Sequence, residues 1–338
     1  MTDEKRLQVY NTCLVRFDQW VDENLADDGC WVQPATCVGY FSIPPYATYM
    51  GRFDMATRAL RHIHQRYITD DGGVIQSDMR KNMLPYMPAW LLWGAVLGGS
   101  LKMVNVLADF IVSYQCPSTG SFFGTNRARD HQKGYVDFDS TAMAVFALAC
   151  AGRVEPSVRG AEFLVELYEV QSAPERVIYT AWADSGGLVK DDENAAHTLC
   201  LSEPEQHYYK IGLWVMALVR AYSVSGRQRL LDFALAIYRR TVIGAPGLWA
   251  NTTGHKMAWA ASTLYTTTDD PRYLEDACRM ADHLATVQQP DGGFHYPEFW
   301  PTYPPDPWEL QANVGFQFAL WIAQARDGLV AKSKDISV

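Results

Sequence analysis

The sequence lacks any block of basic residues. Its 29 Lys and Arg are dispersed and outnumbered by 38 Asp and Glu, giving a net charge of −9. Nucleic acid and anionic membrane surfaces are poor partners for such a chain, because neither meets a patch that neutralises phosphate. The seven cysteines are odd in number and form no Cys-x-x-Cys pair, so no disulfide framework is expected and a reducing compartment is the default. The opening residues are polar and charged, so no secretory signal is read there. The longest apolar run, 89–99, is too short for a bilayer, and no membrane span is expected. These absences point to a cytoplasmic protein. Walker, Gly-x-Gly-x-x-Gly, Gly-x-Ser-x-Gly and His-Glu-x-x-His motifs are missing as well, so nucleotide use and familiar hydrolase chemistry have no support. No cofactor is expected.

Apolar residues make up 48% of the 338 positions and charged ones 20%, enough for a sizeable core. Six turn signals organise the chain. They are Asp-Asp-Gly-Cys-Trp at 27–31, Asp-Asp-Gly-Gly-Val at 70–74, Ser-Thr-Gly-Ser-Phe-Phe at 118–123, Asp-Ser-Gly-Gly-Leu at 184–188, Ala-Pro-Gly-Leu-Trp at 245–249 and Pro-Asp-Gly-Gly-Phe at 290–294. Their spacing of roughly 45 to 65 residues suits a helical-hairpin repeat with variable insertions.

A helix-period pattern precedes each signal, at 6–23, 54–68, 101–115, 156–171, 227–242 and 271–289. These stretches are amphipathic. In the last, Leu274, Cys278, Ala281 and Leu284 share one face while Arg272, Glu275, Arg279 and Asp282 oppose them. A second pattern follows each signal, at 45–53, 84–98, 140–151, 205–224, 256–268 and 309–326, and is apolar nearly all round. Helices apolar on every face belong inside. The expectation is an all-α fold, an (α/α)6 barrel or toroid of six helical hairpins, forming one domain over 1–338. No strand pattern competes.

Gly98-Gly99, Ala151-Gly152 and Ser225-Gly226 supply short links from inner to outer helices. The opposite links are long and rich in Pro, Gly, Trp and His. They all fall at one end, where inner helices begin, so a substrate pocket is expected there.

The sharpest motif at that end is Asp137-Phe138-Asp139-Ser140-Thr141-Ala142. Together with Gln288-Gln289-Pro290-Asp291-Gly292-Gly293-Phe294 it resembles the terpenoid-cyclase and protein-prenyltransferase toroids, whose class II cyclases carry Asp-x-Asp-Asp-Thr-Ala. The resemblance implies that Asp139 is a general acid that protonates an alkene or epoxide, with Asp137 its partner. Ser140 departs from the family, which has Asp there. Asp and Ser before an apolar helix are also ordinary N-caps. If Asp139 is the acid, Asp139→Asn abolishes turnover and leaves melting nearly unchanged. A zinc reading through Asp28, Cys30 and His197 lacks the required ligand spacing, and no metal is expected.

His207 and His255 join Asp137 and Asp139 as catalytic candidates, since imidazole titrates near neutral pH and suits proton transfer. Substrate-binding candidates are Tyr46, Tyr49, Arg80, Tyr86, Trp90, Phe138, Tyr208, Trp259, Trp300, Trp308 and Glu309. Aromatic walls stabilise a carbocation or stack on a sugar ring. The main expectation is thus a cofactor-free cyclase or isomerase acting on an apolar isoprenoid or polyene. The alternatives are a carbohydrate enzyme of the six-hairpin type (glycosidase, unsaturated-uronide hydrolase or sugar epimerase) and a non-enzymatic scaffold. The fold does not decide among them.

Overall fold

A computed structural model of the chain describes residues 1–75, 84–126, 135–183, 187–190, 197–204, 206–294 and 307–335. Among the described residues twelve α-helices alternate between an outer and an inner layer. The outer ones are α1 (Asp3–Asn24), α3 (Phe53–Arg66), α5 (Leu101–Val112), α7 (Val154–Glu169), α9 (Gln228–Gly244) and α11 (Pro271–Thr286). The inner ones are α2 (Ile43–Tyr49), α4 (Tyr86–Leu97), α6 (Phe138–Cys150), α8 (Tyr209–Ser225), α10 (His255–Thr268) and α12 (Pro307–Asp335). Each inner helix packs on the next, and α12 returns to α2, so the six close a ring. The all-α (α/α)6 toroid read from the sequence is the fold.

Hydrophobic patterning explains the two layers. Along α11, Leu274, Cys278, Ala281 and Leu284 are buried while Arg272, Glu275 and Arg279 are exposed. Along α6 every residue from Phe138 to Ala149 is buried. The seam between first and last hairpins is ionic. The buried Arg6 guanidinium donates to both Glu275 carboxylate oxygens at 2.7 Å and to Asp282 at 3.0 Å, and Tyr10 donates its hydroxyl to Asp282 at 2.6 Å.

The glycine turns stitch each hairpin to the next outer helix. Gly292 stands at φ 99°, and a Cβ there would come within 2.3 Å of the Arg16 carbonyl oxygen on α1. Gly72 makes the same approach to Val106 on α5. Only glycine offers both the left-handed backbone and the room. The preceding glutamine ties the junction. Gln288 donates to the Gly292 and Cys13 carbonyls at 2.9 and 2.8 Å, and Gln115 to those of Gly120 and Pro156, both at 2.8 Å. The Gln-to-Gly-aromatic pattern is therefore structural.

Four differences from the sequence reading have local causes. The 45–53 segment is helical only over Ile43–Tyr49, because Gly51 takes φ 73° and turns the chain into α3. The last helix runs on to Asp335. In the fourth repeat the turn falls early: Gln171 and Tyr179 exchange hydrogen bonds of 3.0 and 3.1 Å. Gly187-Leu188, assigned to that turn, is instead strand β4. Short strands do occur in the long loops, where one sheet joins β1 (Tyr135–Asp137), β3 (Ala181–Ala183) and β4 (Gly187–Leu188), and another joins β2 (Ile178–Tyr179) to β5 (Thr198–Leu199). Runs of two or three residues are too brief to show a period of two. Among the described residues no helix is long and apolar enough to cross a membrane.

Candidate functional site

Links from inner to outer helices are two or three residues long, such as 50–52 and 151–153, whereas those from outer to inner helices reach from 170 to 208. The N-terminal ends of the inner helices therefore sit beneath the long loops. A belt of buried polar side chains lies at those ends. On α6, Asp139 Oδ2 accepts from Lys210 Nζ of α8 at 3.1 Å and from the Tyr209 hydroxyl at 3.4 Å. On α10, Lys256 Nζ donates to His255 Nε2 at 3.0 Å. Between α12 and the start of α2, Ser42 Oγ donates to Asn313 Oδ1 at 2.5 Å and accepts from Gln317 Nε2 at 3.3 Å. Asn313 and Gln317 are one turn apart and so share a face of α12.

Tyr209 ties the belt together. The Lys210 and Lys256 ammoniums lie 5.6 and 5.0 Å from its ring centroid, and the His207 ring stacks on it at 5.6 Å. Lys210 also lies 5.3 Å over Phe138, and Lys256 6.0 Å over Trp90. These cation–π contacts hold two ammoniums that are almost fully withdrawn from water.

The two histidines are neutral bases. His255 Nδ1 is 2.9 Å from the Thr252 carbonyl oxygen, which only accepts, so Nδ1 carries the proton and Nε2 accepts from Lys256. Burial, reinforced by the Lys256 charge, pushes His255 well below the usual imidazole range. His207 is lowered to about 4, by burial first and then by Lys210, with Asp139 opposing. It is only partly buried, so its ring remains within reach of a ligand.

Beneath the belt the barrel is filled by indoles. Trp93 of α4 and Trp321 of α12 stack on Trp259 of α10, at 5.1 and 4.6 Å with interplanar angles of 15° and 13°. Phe146 of α6 meets Trp259 edge-on at 4.8 Å, and Trp90 lies 5.8 Å from Trp259. Four inner helices thus meet in one aromatic plug.

The structure sorts the sequence candidates. Asp139, His207, His255, Phe138 and Trp90 are in or against the belt, and Tyr86 adjoins it through Trp90, ring to ring at 6.5 Å. Trp259 is the centre of the plug. Glu309 is buried but is held by Thr36 Oγ and by the Gly39 amide at 3.2 Å, so it anchors a loop. Four candidates are misplaced. Tyr46 donates to Asp18 at 2.8 Å, between α2 and α1. Tyr49 is at the C-terminal end of α2, exposed, and bonded to Asp327. Tyr208 turns away to donate to the Glu203 carbonyl at 2.7 Å, and its neighbour Tyr209 takes the interior place. Trp308 packs edge-on against Trp31 at 4.8 Å, in a cluster with Trp20. Arg80, Trp300 and the side chain of Asp137 lie outside the described residues.

Lys210, Lys256, Tyr209, Trp93 and Trp321 are not among the catalytic and binding candidates read from the sequence. A lysine two residues into an otherwise apolar helix was the available signal for the first two. Among the described residues, Asp139 bonds to side chains of the next inner helix and to no backbone amide of its own helix start. Cys30 meets His62, with Sγ to Nδ1 at 3.2 Å, rather than His197. Among the described residues no three His, Cys, Asp or Glu side chains gather as a metal site.

No protein-family model matches this chain, and neither does any curated protein sequence. Solved structures do match in fold. A sugar epimerase from a ruminal bacterium superposes with TM-score 0.65 at 14% identity, covering 95% of this chain and 98% of its own. A family 76 α-mannanase of Bacteroides thetaiotaomicron gives 0.65 at 13%, covering 96% and 97%. An unsaturated glucuronyl hydrolase specific for heparin gives 0.62 at 11%, covering 98% and 99%. The terpenoid-cyclase expectation is corrected on this point: the toroids named above, which match nearly the whole chain, are carbohydrate enzymes and not cyclases. In the site, Asp139 Oδ2 lies 3.1 Å from the Lys210 ammonium.

Proposed function

We propose that the chain is a carbohydrate-active isomerase or epimerase that moves a proton beside the carbonyl of an open-chain sugar. The observation carrying this reading is the polarity of the belt: two neutral imidazoles, His207 and His255, beside two buried ammoniums, Lys210 and Lys256. Enolisation needs such a set. A base removes the hydrogen next to the carbonyl, and fixed cations or N–H donors stabilise the oxyanion that develops.

His207 is assigned as the base. A pKa of about 4 makes it comparable to a carboxylate base and keeps it unprotonated at neutral pH. Its lone pair takes the hydrogen on C2, the C–H electrons form the C1–C2 double bond, and the carbonyl electrons move to oxygen. Lys256, oriented by its bond to His255, donates an N–H to that oxygen. Transfer of the O2 proton to the C1 oxyanion, followed by return of the abstracted proton to C1 as the C2 carbonyl forms, gives the isomer, whereas direct return to the other face of C2 re-forms the C1 carbonyl and gives the epimer. Asp139 holds Lys210 in place.

Glycoside hydrolysis fits less well. It uses two carboxyl groups flanking a bond that becomes cationic. Among the described residues Asp139 and Glu309 are the buried carboxylates, and both are committed, to Lys210 and to Thr36 with Gly39.

The test is incubation of the full chain with a panel of aldoses and ketoses in D2O, followed by NMR. Deuterium entering at C1 or C2 is expected, and His207→Gln should lose at least about a hundredfold in rate. Cleavage of glycosidic substrates without exchange at C1 or C2 would sink the proposal.

A further inference from the structure

The end of the barrel opposite the long loops is built differently. Links of two or three residues join the helices there, and Leu97, at the last turn of α4, is 42% exposed. Solvent therefore reaches the turn just beyond the indole plug. Ser262 follows Trp259 by three residues and Gln324 follows Trp321 by three, so both lie one turn past that stacked pair on the same helix faces. Arg220 lies eleven residues, three turns, past Tyr209 and shares its inward face. It adjoins the thiol of Cys150, one turn past Phe146 on α6. The approach of Gly212 to Lys256 sets the register of α8 on α10, which brings Arg220 within about one turn of Ser262 along the axis.

Three buried polar atoms at this level have no hydrogen-bond partner among the described residues: Arg220 Nε, Ser262 Oγ and Gln324 Oε1. Ser262 is 8% exposed, whereas Arg220 and Gln324 are only partly buried, so solvent reaches them from the open end. No ion pair joins Arg220 to a carboxylate among the described residues. Burial pushes the Cys150 thiol up to about 11 against the opposing charge of Arg220, so the thiol stays neutral and supplies no counter-charge. Asp327, one turn past Gln324, is taken by Arg326 at 2.7 Å and by the Tyr49 hydroxyl at 2.9 Å. Buried polar groups are rarely left unpaired, because each forfeits its water without replacement. Here a guanidinium, a hydroxyl and an amide oxygen are left unpaired together.

We propose that this end carries a second ligand site, separated from the polar belt by the indole plug, for a small oxyanion that also bears a hydroxyl: a hydrogen phosphate or a hydroxy acid. The Arg220 guanidinium and the Ser262 hydroxyl donate to the anion, and Gln324 Oε1 accepts from the ligand's O–H. The site does not depend on the reaction assigned to the belt.

Calorimetric titration of the full chain at neutral pH with phosphate, sulfate, glycolate and acetate tests the assignment. Phosphate and glycolate carry an O–H; sulfate and acetate are their counterparts without one. Phosphate or glycolate should bind with a dissociation constant on the order of a millimolar, and the tighter of the two assigns the ligand to the phosphates or to the carboxylic acids. It should bind about three- to tenfold tighter than its counterpart, the worth of one hydrogen bond. Arg220→Met removes the charge and should weaken binding at least about tenfold, and Ser262→Ala about three- to tenfold. Gln324→Met should abolish the preference for the O–H and leave the counterpart bound as in wild type. All three substitutions delete polar atoms that the unliganded fold leaves unsatisfied, so the melting temperature should not fall. Should Arg220→Met fail to fold, the Gln324→Met comparison decides alone. No binding up to about 20 mM, equal affinity for both members of each pair, or binding undiminished in Arg220→Met, as ammoniums of the belt would produce, overturns the inference and leaves the isomerase reading standing.

Discussion

Breaking the Asp139–Lys210 pair is the perturbation whose outcome the structure specifies best. The two charges are 3.1 Å apart, with side chains 7% and 3% exposed. At an effective dielectric of about 20 their attraction is about 5 kcal/mol, most of which offsets the cost of desolvating both. Asp139→Asn keeps the shape and removes the charge, which strands the Lys210 ammonium in the interior. Removing one partner of a buried pair costs about 3–5 kcal/mol. For a chain of this size that is a fall of several degrees in melting temperature. The sequence reading of Asp139 as a general acid partnered by Asp137 expected no such fall. Asp139→Asn/Lys210→Met removes both charges, and the double variant should be more stable than the sum of single losses implies by about 2 kcal/mol or more. Thermal and urea unfolding of wild type, both single variants and the double variant complete the cycle. Losses that add within about 0.5 kcal/mol, as independent sites do, would refute the claim that this pair is an energetic unit of the barrel.

Two further outcomes follow from the same residues. His207 and His255 are neutral in the folded chain and titrate near 6.5 when unfolded. Below pH 6.5 the unfolded chain therefore binds protons that the folded chain refuses, and stability falls with pH. By pH 5.5 each histidine should cost about 1.4 kcal/mol. Urea midpoints measured from pH 7.5 to 5.5 should drop, and less so in His207→Gln; a midpoint independent of pH refutes the assignment. At Gly212 on α8 a Cβ would come within 2.4 Å of the Lys256 carbonyl oxygen on α10. Gly212→Ala should cost about 2–3 kcal/mol and disturb binding as well, because the strain falls on the residue that holds the Lys256 ammonium; a fully stable, fully active variant would show that the two helices part easily.

The toroid was legible because its determinants are local and repeated. The amphipathic period of the outer helices, the apolar runs of the inner ones and the glycine turns each recur around the ring. The glutamines that resembled a cyclase signature are legible too, but as mortar: Gln115 and Gln288 bond to turn carbonyls and to the next outer helix. That is why the resemblance located the fold correctly and the chemistry wrongly. A motif that solves a packing problem common to all toroids carries no information about the reaction inside one.

The site was legible only to the level of which end and which helices. Successive residues on a helix point about 100° apart, so an error of one position exchanges interior for exterior. Tyr208 was read as lining the site, yet it reaches the Glu203 carbonyl while Tyr209 faces both lysines. Tyr46 and Tyr49 were placed at the pocket because α2 was read as starting near Pro45. The helix is short, and Tyr49 already lies at its far end. Pairings across the barrel were harder still. Asp139 lies 71 residues from Lys210 in the chain, and no pattern within either helix announces the other. The charge balance of the belt emerges only when the ring is closed. In the function proposed above it is that balance, and not the Asp-x-Asp motif, that suits a developing anion over a developing cation.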